Sequence, residues 1–196
     1  MIHGTSVSIY GVGILIIGKS GSGKSDLAMR LCFKGANLIA DDQVCLEKHE
    51  NQILMSCPDS LSGLLEVRGL GICAVDHPVD DSVNHDHPIS SLNLSPIRLK
   101  SQKGIQSGID DKLGQNNKIH NHQKVSLDLI LDLTPISEIP RLPDYGVAHK
   151  DLKVYAFEGF DFPQDVSVPK YQVNAFEASW YEKILILVQS ILDQKK

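Results

Sequence analysis

The chain has 196 residues, enough for one sizeable domain with a buried core. Its net charge of −5 leaves no basic excess to neutralise a nucleic-acid backbone, and no apolar run approaches the roughly 20 residues of a membrane span. No secretory leader opens it and its four cysteines form no C-x-x-C pair, so reduced thiols in a cytoplasmic protein are expected.

In chain order, residues 3–8 alternate loosely, and Tyr10-Gly11-Val12-Gly13 reads as a turn between short strands. The run Ile14-Leu15-Ile16-Ile17 predicts a buried strand leading into Gly18-Lys19-Ser20-Gly21-Ser22-Gly23-Lys24-Ser25. Leu27, Ala28, Leu31 and Cys32 then recur at helical spacing, predicting a helix over 24–34 that stops at Gly35. Strand, G-x-x-x-x-G-K-S and helix together are the context in which a Walker A pattern has physical meaning. Gly21 and Gly23 let successive N–H groups curl around a phosphate chain, and the helix start adds its positive dipole end. Lys24 can reach the β/γ-phosphates, and the Ser25 hydroxyl can complete a Mg²⁺ shell. An ordinary strand-to-helix turn accounts for the glycines but not for Lys-Ser at this spacing.

A second short strand, Asn37-Leu38-Ile39-Ala40, ends in Asp41-Asp42. Ligands of open α/β sheets sit beyond the carboxyl ends of strands, so the loop and the acid pair are expected to open toward one crevice. Residues 44–47 and 53–55 predict a hairpin, and Pro58-Asp59-Ser60-Leu61 a helical turn. In the extended run Leu64-Leu65-Glu66-Val67-Arg68-Gly69-Leu70-Gly71-Ile72, Glu66 and Arg68 should share one face. Residues 83–123 are polar and aperiodic, which predicts a flexible insert in one 1–196 domain. His85, His87, His120 and His122 lie there in H-x-H pairs, which read as solvated loop and are assigned no metal. Strands are predicted at 126–133 and 152–157, with Arg141 in a proline-flanked segment between them. A long amphipathic helix is predicted over 173–192, its stripe running through Phe176, Trp180, Ile184, Leu187 and Ile191. The fold class is therefore α/β.

Four landmarks in this order, His3-Gly4, the 18–25 loop, Ile39-Ala40-Asp41-Asp42-Gln43-Val44 and the 64–72 run, resemble the catalytic domain of HPr kinase/phosphorylase. The resemblance covers about 3–75 strongly and 125–154 more weakly, in the manner of short forms without the additional amino-terminal domain. It implies a nucleotide-binding fold like that of phosphoenolpyruvate carboxykinase, hexameric assembly, and transfer of phosphate from ATP (or pyrophosphate) to the regulatory serine of HPr. The reverse, phosphorolytic reaction is also implied. Residues Gly18 to Ser25 would bind the phosphates, with Ser25 and Glu66 near Mg²⁺. Asp41 would be the general base with Asp42 beside it. His3 matches the family histidine upstream of the loop, and Arg68 and Arg141 would stabilise phosphoryl charge. Lys19 stands where family members often carry an acid.

Two other functions compete. A small-molecule P-loop kinase would bring several lid arginines, whereas only Arg30, Arg68, Arg98 and Arg141 occur and no R-x-x-x-R cluster is present. A non-catalytic ATP-sensing module would bind nucleotide without transferring phosphate.

Overall fold

The computed structural model describes residues 1–75, 124–141 and 166–195. Strands β1 (Ile2–His3) and β2 (Thr5–Ile9) open the chain, and β2 turns back through Tyr10 and Gly11 into β3 (Val12–Gly18). Both turn residues have positive φ, 51° and 77°, the twist a two-residue hairpin requires. The turn is thus shorter than predicted, and Val12 and Gly13 already belong to the strand. Gly13 is needed there for proximity, since a Cβ on it would lie 1.9 Å from the Ser126 carbonyl oxygen.

Helix α1 (Lys24–Cys32) follows the loop, two residues shorter than the periodicity suggested. Gly35 takes the left-handed conformation, φ 94°, so that Gly35 and Ala36 N–H groups return to the carbonyls of Cys32 and Leu31. Strands β4 (Asn37–Ala40), β5 (Gln43–His49) and β6 (Gln52–Ser56) come next, the last two forming the expected hairpin. The pair β7 (Leu64–Val67) and β8 (Gly71–Ala74) is a small separate hairpin. Arg68 lies in its turn, where Leu70 N–H bonds the Val67 carbonyl, so it does not continue the Glu66 face of an extended strand.

The strand predicted over 126–133 is two strands in two sheets, β9 (Val125–Ser126) and β10 (Leu129–Leu133). Asp128 makes the break. It exchanges N–H···O bonds of 2.9 Å with Gly13 and pairs with Lys195 at 2.7 Å. The last helix also begins later than predicted. Residues Lys170–Val173 form β11, parallel to β10, and α2 runs over Trp180–Gln194. The predicted insert at 83–123 and strand at 152–157 lie outside the described residues.

Five strands make the central sheet in the order β11-β10-β3-β2-β4, with β2 antiparallel to both neighbours and β11, β10 and β3 mutually parallel. Strict alternation feeds two cores. Ile14, Ile16, Leu129 and Leu131 pack with Leu27, Leu31, Ile184 and Val188 of the helices. Leu15 and Ile130 point the other way, onto Ile53, Met55 and Val44 of the second sheet, ordered β1-β5-β6-β9. Each such fully buried side chain stabilises by about 1.5–3 kcal/mol relative to exposure. A sheet buried on both faces holds the carboxyl ends of β3, β4, β10 and β11 rigidly along one edge. Among the described residues no helix is long and apolar enough to cross a membrane.

Candidate active site

That edge gathers the loop, the acid pair and the segment after β11. The loop leaves β3 at Gly18, whose φ of 145° and lack of a Cβ are both required: a methyl there would lie 2.8 Å from Ser22 Oγ and 3.1 Å from the Leu133 carbonyl oxygen. Gly21 and Gly23 are also at positive φ, 79° and 96°, and Gly23 starts α1 by accepting the Leu27 N–H at 2.8 Å. Lys24 is buried, and its ammonium bridges the loop, donating to the Gly18 and Lys19 carbonyls at 3.2 and 3.4 Å. Two long bonds to neutral acceptors leave an ammonium, which has three donors, able to take an anionic oxygen. Ser22 Oγ is buried inside the loop without a hydrogen-bond partner among the described residues. Lys19, Ser20 and Gly21 are exposed at the rim.

Both acids follow β4, yet their surroundings differ. Asp41 is 5% exposed. Its Oδ1 accepts from Thr5 Oγ1 at 2.7 Å and from Ser25 Oγ at 2.9 Å, and its Oδ2 accepts from the Glu66 backbone N–H at 3.0 Å. This carboxylate therefore ties β2, α1 and β7 together. Thr5 belongs to the site although sequence reasoning passed over it; the available signal was a hydroxyl in the strand that precedes the loop strand.

Asp42 faces outward, its side chain 62% exposed. Gln43 N–H bonds the Asp41 carbonyl at 2.8 Å across it, making Asp42 the centre of a three-residue γ-turn with φ 65°. A non-glycine residue held at positive φ is strained, and such strain clusters at functional positions. His3 Nδ1 lies 3.0 Å from Asp42 Oδ1 and 3.1 Å from its backbone oxygen, so β1 carries the histidine to the outer acid.

The structure thus brings Lys24, Ser25, Asp41, Asp42, His3 and the Glu66 backbone together. Glu66 itself is exposed and meets Asp41 through its N–H. Arg68 and Arg141 are exposed, and among the described residues no hydrogen bond or ion pair joins either to the loop or the acids. Nearby, burial pushes the Cys57 thiol up to about 11, helped by Cys45, Asp59 and Asp41, so it stays protonated beside the site. Among the described residues no cluster of three or more His, Cys, Asp or Glu could hold a metal alone. Ser25 Oγ and the Asp41 carboxylate, 2.9 Å apart, are hard oxygen donors suited to Mg²⁺, which commonly takes one or two protein ligands and completes its shell with phosphates and water.

A family model described as the HPr Serine kinase C-terminal domain matches residues 1–147. HPr kinase/phosphorylase of Clostridium tetani is 50% identical over 74 residues, 38% of this chain and 24% of that protein. The HPr kinase/phosphorylase of Bacillus licheniformis is 51% identical over 75 residues, with the same coverage. The chain spans about a quarter of the length of the curated relatives it matches. The solved HPr(Ser) kinase/phosphatase of Coxiella burnetii superposes with a TM-score of 0.58 at 21% identity, covering 98% of this chain and 91% of that one. At that identity the likeness establishes a shared mixed α/β fold.

Proposed function

The chain belongs to the HPr serine kinase C-terminal domain family, and on that premise we propose that it moves the terminal phosphoryl group of ATP onto the regulatory serine of HPr. The observation that carries the reading is the 2.9 Å bond between Ser25 and Asp41, because it sets an acid against the end of the phosphate loop, where α1 begins. Phosphoryl transfer needs positioning and charge neutralisation more than covalent chemistry from the protein, and these residues supply both. The strand–loop–helix core is read as a nucleotide-binding fold of the phosphoenolpyruvate carboxykinase kind.

In this mechanism the loop N–H groups and Lys24 bind the phosphates. Ser25 and Asp41 would hold Mg²⁺, with Glu66 close by, and the ion when bound neutralises charge on the transferred group. The acceptor hydroxyl oxygen forms a bond to the γ-phosphorus as the bond to the β-bridging oxygen breaks, and the hydroxyl proton passes to a carboxylate. We assign that carboxylate to Asp42 rather than to Asp41. Asp41 is buried and already accepts from two hydroxyls and an amide, whereas Asp42 is open to an approaching hydroxyl and oriented by His3. In the phosphorolytic direction Asp42 returns the proton to the leaving serine oxygen. Arg68, in the turn after β7, and Arg141 are read as contributors that act once the acceptor is bound.

Incubating the purified chain with HPr, Mg²⁺ and ATP and measuring the intact mass of HPr tests the proposal. Gain of one phosphate, mapped to serine, is the expected result. ATP consumption with HPr unmodified would instead favour a small-molecule acceptor, and nucleotide binding without turnover a sensing module.

A further inference from the structure

Strand order gives the loop two flanks. On the β2–β4 side stand Ser25, Asp41 and Asp42, where the proposed transfer takes place. The opposite side is formed by the ends of β10 and β11, the second of which continues into residues 174–179. A phosphate chain that has its terminal group at Ser25 and Asp41 and crosses the loop sends its other end toward this second flank.

Phe176 occupies it. The residue is 68% exposed, yet the backbone around it is fixed at every step. Thr134 N–H bonds the Val173 carbonyl at 3.0 Å, and Asn174 Nδ2 returns to the Thr134 carbonyl at 3.2 Å. Asn174 Oδ1 accepts the Phe176 N–H at 2.9 Å, and Arg30 from α1 donates to the Ala175 carbonyl at 2.7 Å. Arg30 is itself held by Asp26 at 2.8 Å and by the Trp180 ring, 4.5 Å from its guanidinium carbon. The ring so placed abuts the loop: a Cβ on Gly23 would lie 2.9 Å from Phe176 Cζ. Burying this ring in the core is what its place in the apolar stripe suggested, and the Asx turn at Asn174 lifts it out instead.

We propose that Phe176 is the stacking platform for the base of the nucleoside triphosphate, the exposed face of its ring lying against the purine while the loop amides hold the phosphates. The inference rests on the nucleotide reading above. An aromatic face beside a phosphate cradle supplies affinity without hydrogen-bond readout, so adenine and guanine nucleotides should bind comparably.

Titration of the full chain with Mg²⁺-ATP and with Mg²⁺-tripolyphosphate, which has no base, tests it. Phe176→Ala should weaken ATP about tenfold, the loss typical of removing one aromatic ring from beneath a base, and leave tripolyphosphate unchanged. Phe176→Trp should restore ATP affinity and give indole fluorescence that responds to ATP but not to tripolyphosphate. Equal weakening of both ligands by Phe176→Ala, or an unchanged ATP affinity with only the KM for HPr raised, would overturn the platform. So would a wild-type chain that binds tripolyphosphate as tightly as ATP, with the phosphate site left standing. A wild-type chain that binds neither ligand would overturn the nucleotide reading itself.

Discussion

The sharpest test of the site separates its two adjacent acids. Asp41→Ala deletes a buried carboxylate that accepts from Thr5, Ser25 and the Glu66 N–H. The two hydroxyls can rotate toward other acceptors, but the amide cannot, and a hydrogen bond to a charged group contributes about 1.5–3 kcal/mol. Adding partial losses at the hydroxyls and a small cavity gives about 3–5 kcal/mol, a large share of a domain stability of about 5–15 kcal/mol. Asp42→Asn should cost less than about 0.5 kcal/mol, because the side chain is exposed and asparagine tolerates a positive φ. Asparagine is preferred over alanine here, since its short polar side chain eases the left-handed region, which costs most L-residues about 1–2 kcal/mol. Urea unfolding followed through Trp180, the single tryptophan, measures both variants. In the transfer assay Asp42→Asn should lower kcat about 10²–10⁴-fold with ATP affinity retained. Equal destabilisation by the two substitutions would refute the division of labour. Full turnover by Asp42→Asn would return the base to another group.

Three further outcomes are expected. Gly13→Ala forces a methyl to 1.9 Å from the Ser126 carbonyl and 2.9 Å from Val125, and the paired bonds to Asp128 prevent retreat. A loss of about 3 kcal/mol, or about 10 °C in Tm, should follow in a thermal melt. Burial pushes the Cys32 thiol from 9.0 up to about 12, so between those values the unfolded chain loses a proton that the folded chain keeps. Stability should therefore hold below pH 9 and fall by roughly 1 kcal/mol per unit above it, and urea titrations of Cys32→Ala should show a flatter decline. Arg30→Ala removes the bond to the Ala175 carbonyl, the Asp26 pair and the stacking on Trp180, which should cost about 2 kcal/mol and red-shift Trp180 emission.

Elements whose signals are local were legible in the chain. The apolar run of β3 and the 3.6-residue spacing of α1 each announce what a few neighbouring residues do, and both elements form there, with ends shifted by two residues or fewer. The errors come from contacts across long separations. Nothing near Asp128 announces that its carboxylate will bond Gly13, 115 residues earlier, and so divide an apolar run between two sheets. Nothing near Val173 announces its pairing with Leu133, which ends β11 on the residue where helical spacing opened α2.

The site divides along the same line. A phosphate loop is a local device, because its glycines, lysine and serine are contiguous and the backbone supplies most of the binding atoms. The roles of Asp41 and Asp42 are not local, since two neighbouring carboxylates look alike until their partners are known. Thr5 and the Glu66 N–H bury one of them, and His3 engages the other. Phe176 is the limiting case, an apolar residue at helical spacing from Trp180 that ends up outside the helix and against Gly23. A motif can therefore be read from one short stretch, whereas the flanks that orient a ligand on it depend on the order in which the sheet assembles its strands. Exchanging Asn174 for a strong helix former would test this directly: with the Asx turn lost, α2 should extend toward β11, the ring should swing from Gly23, and ATP affinity should fall as it does for Phe176→Ala while tripolyphosphate binding persists.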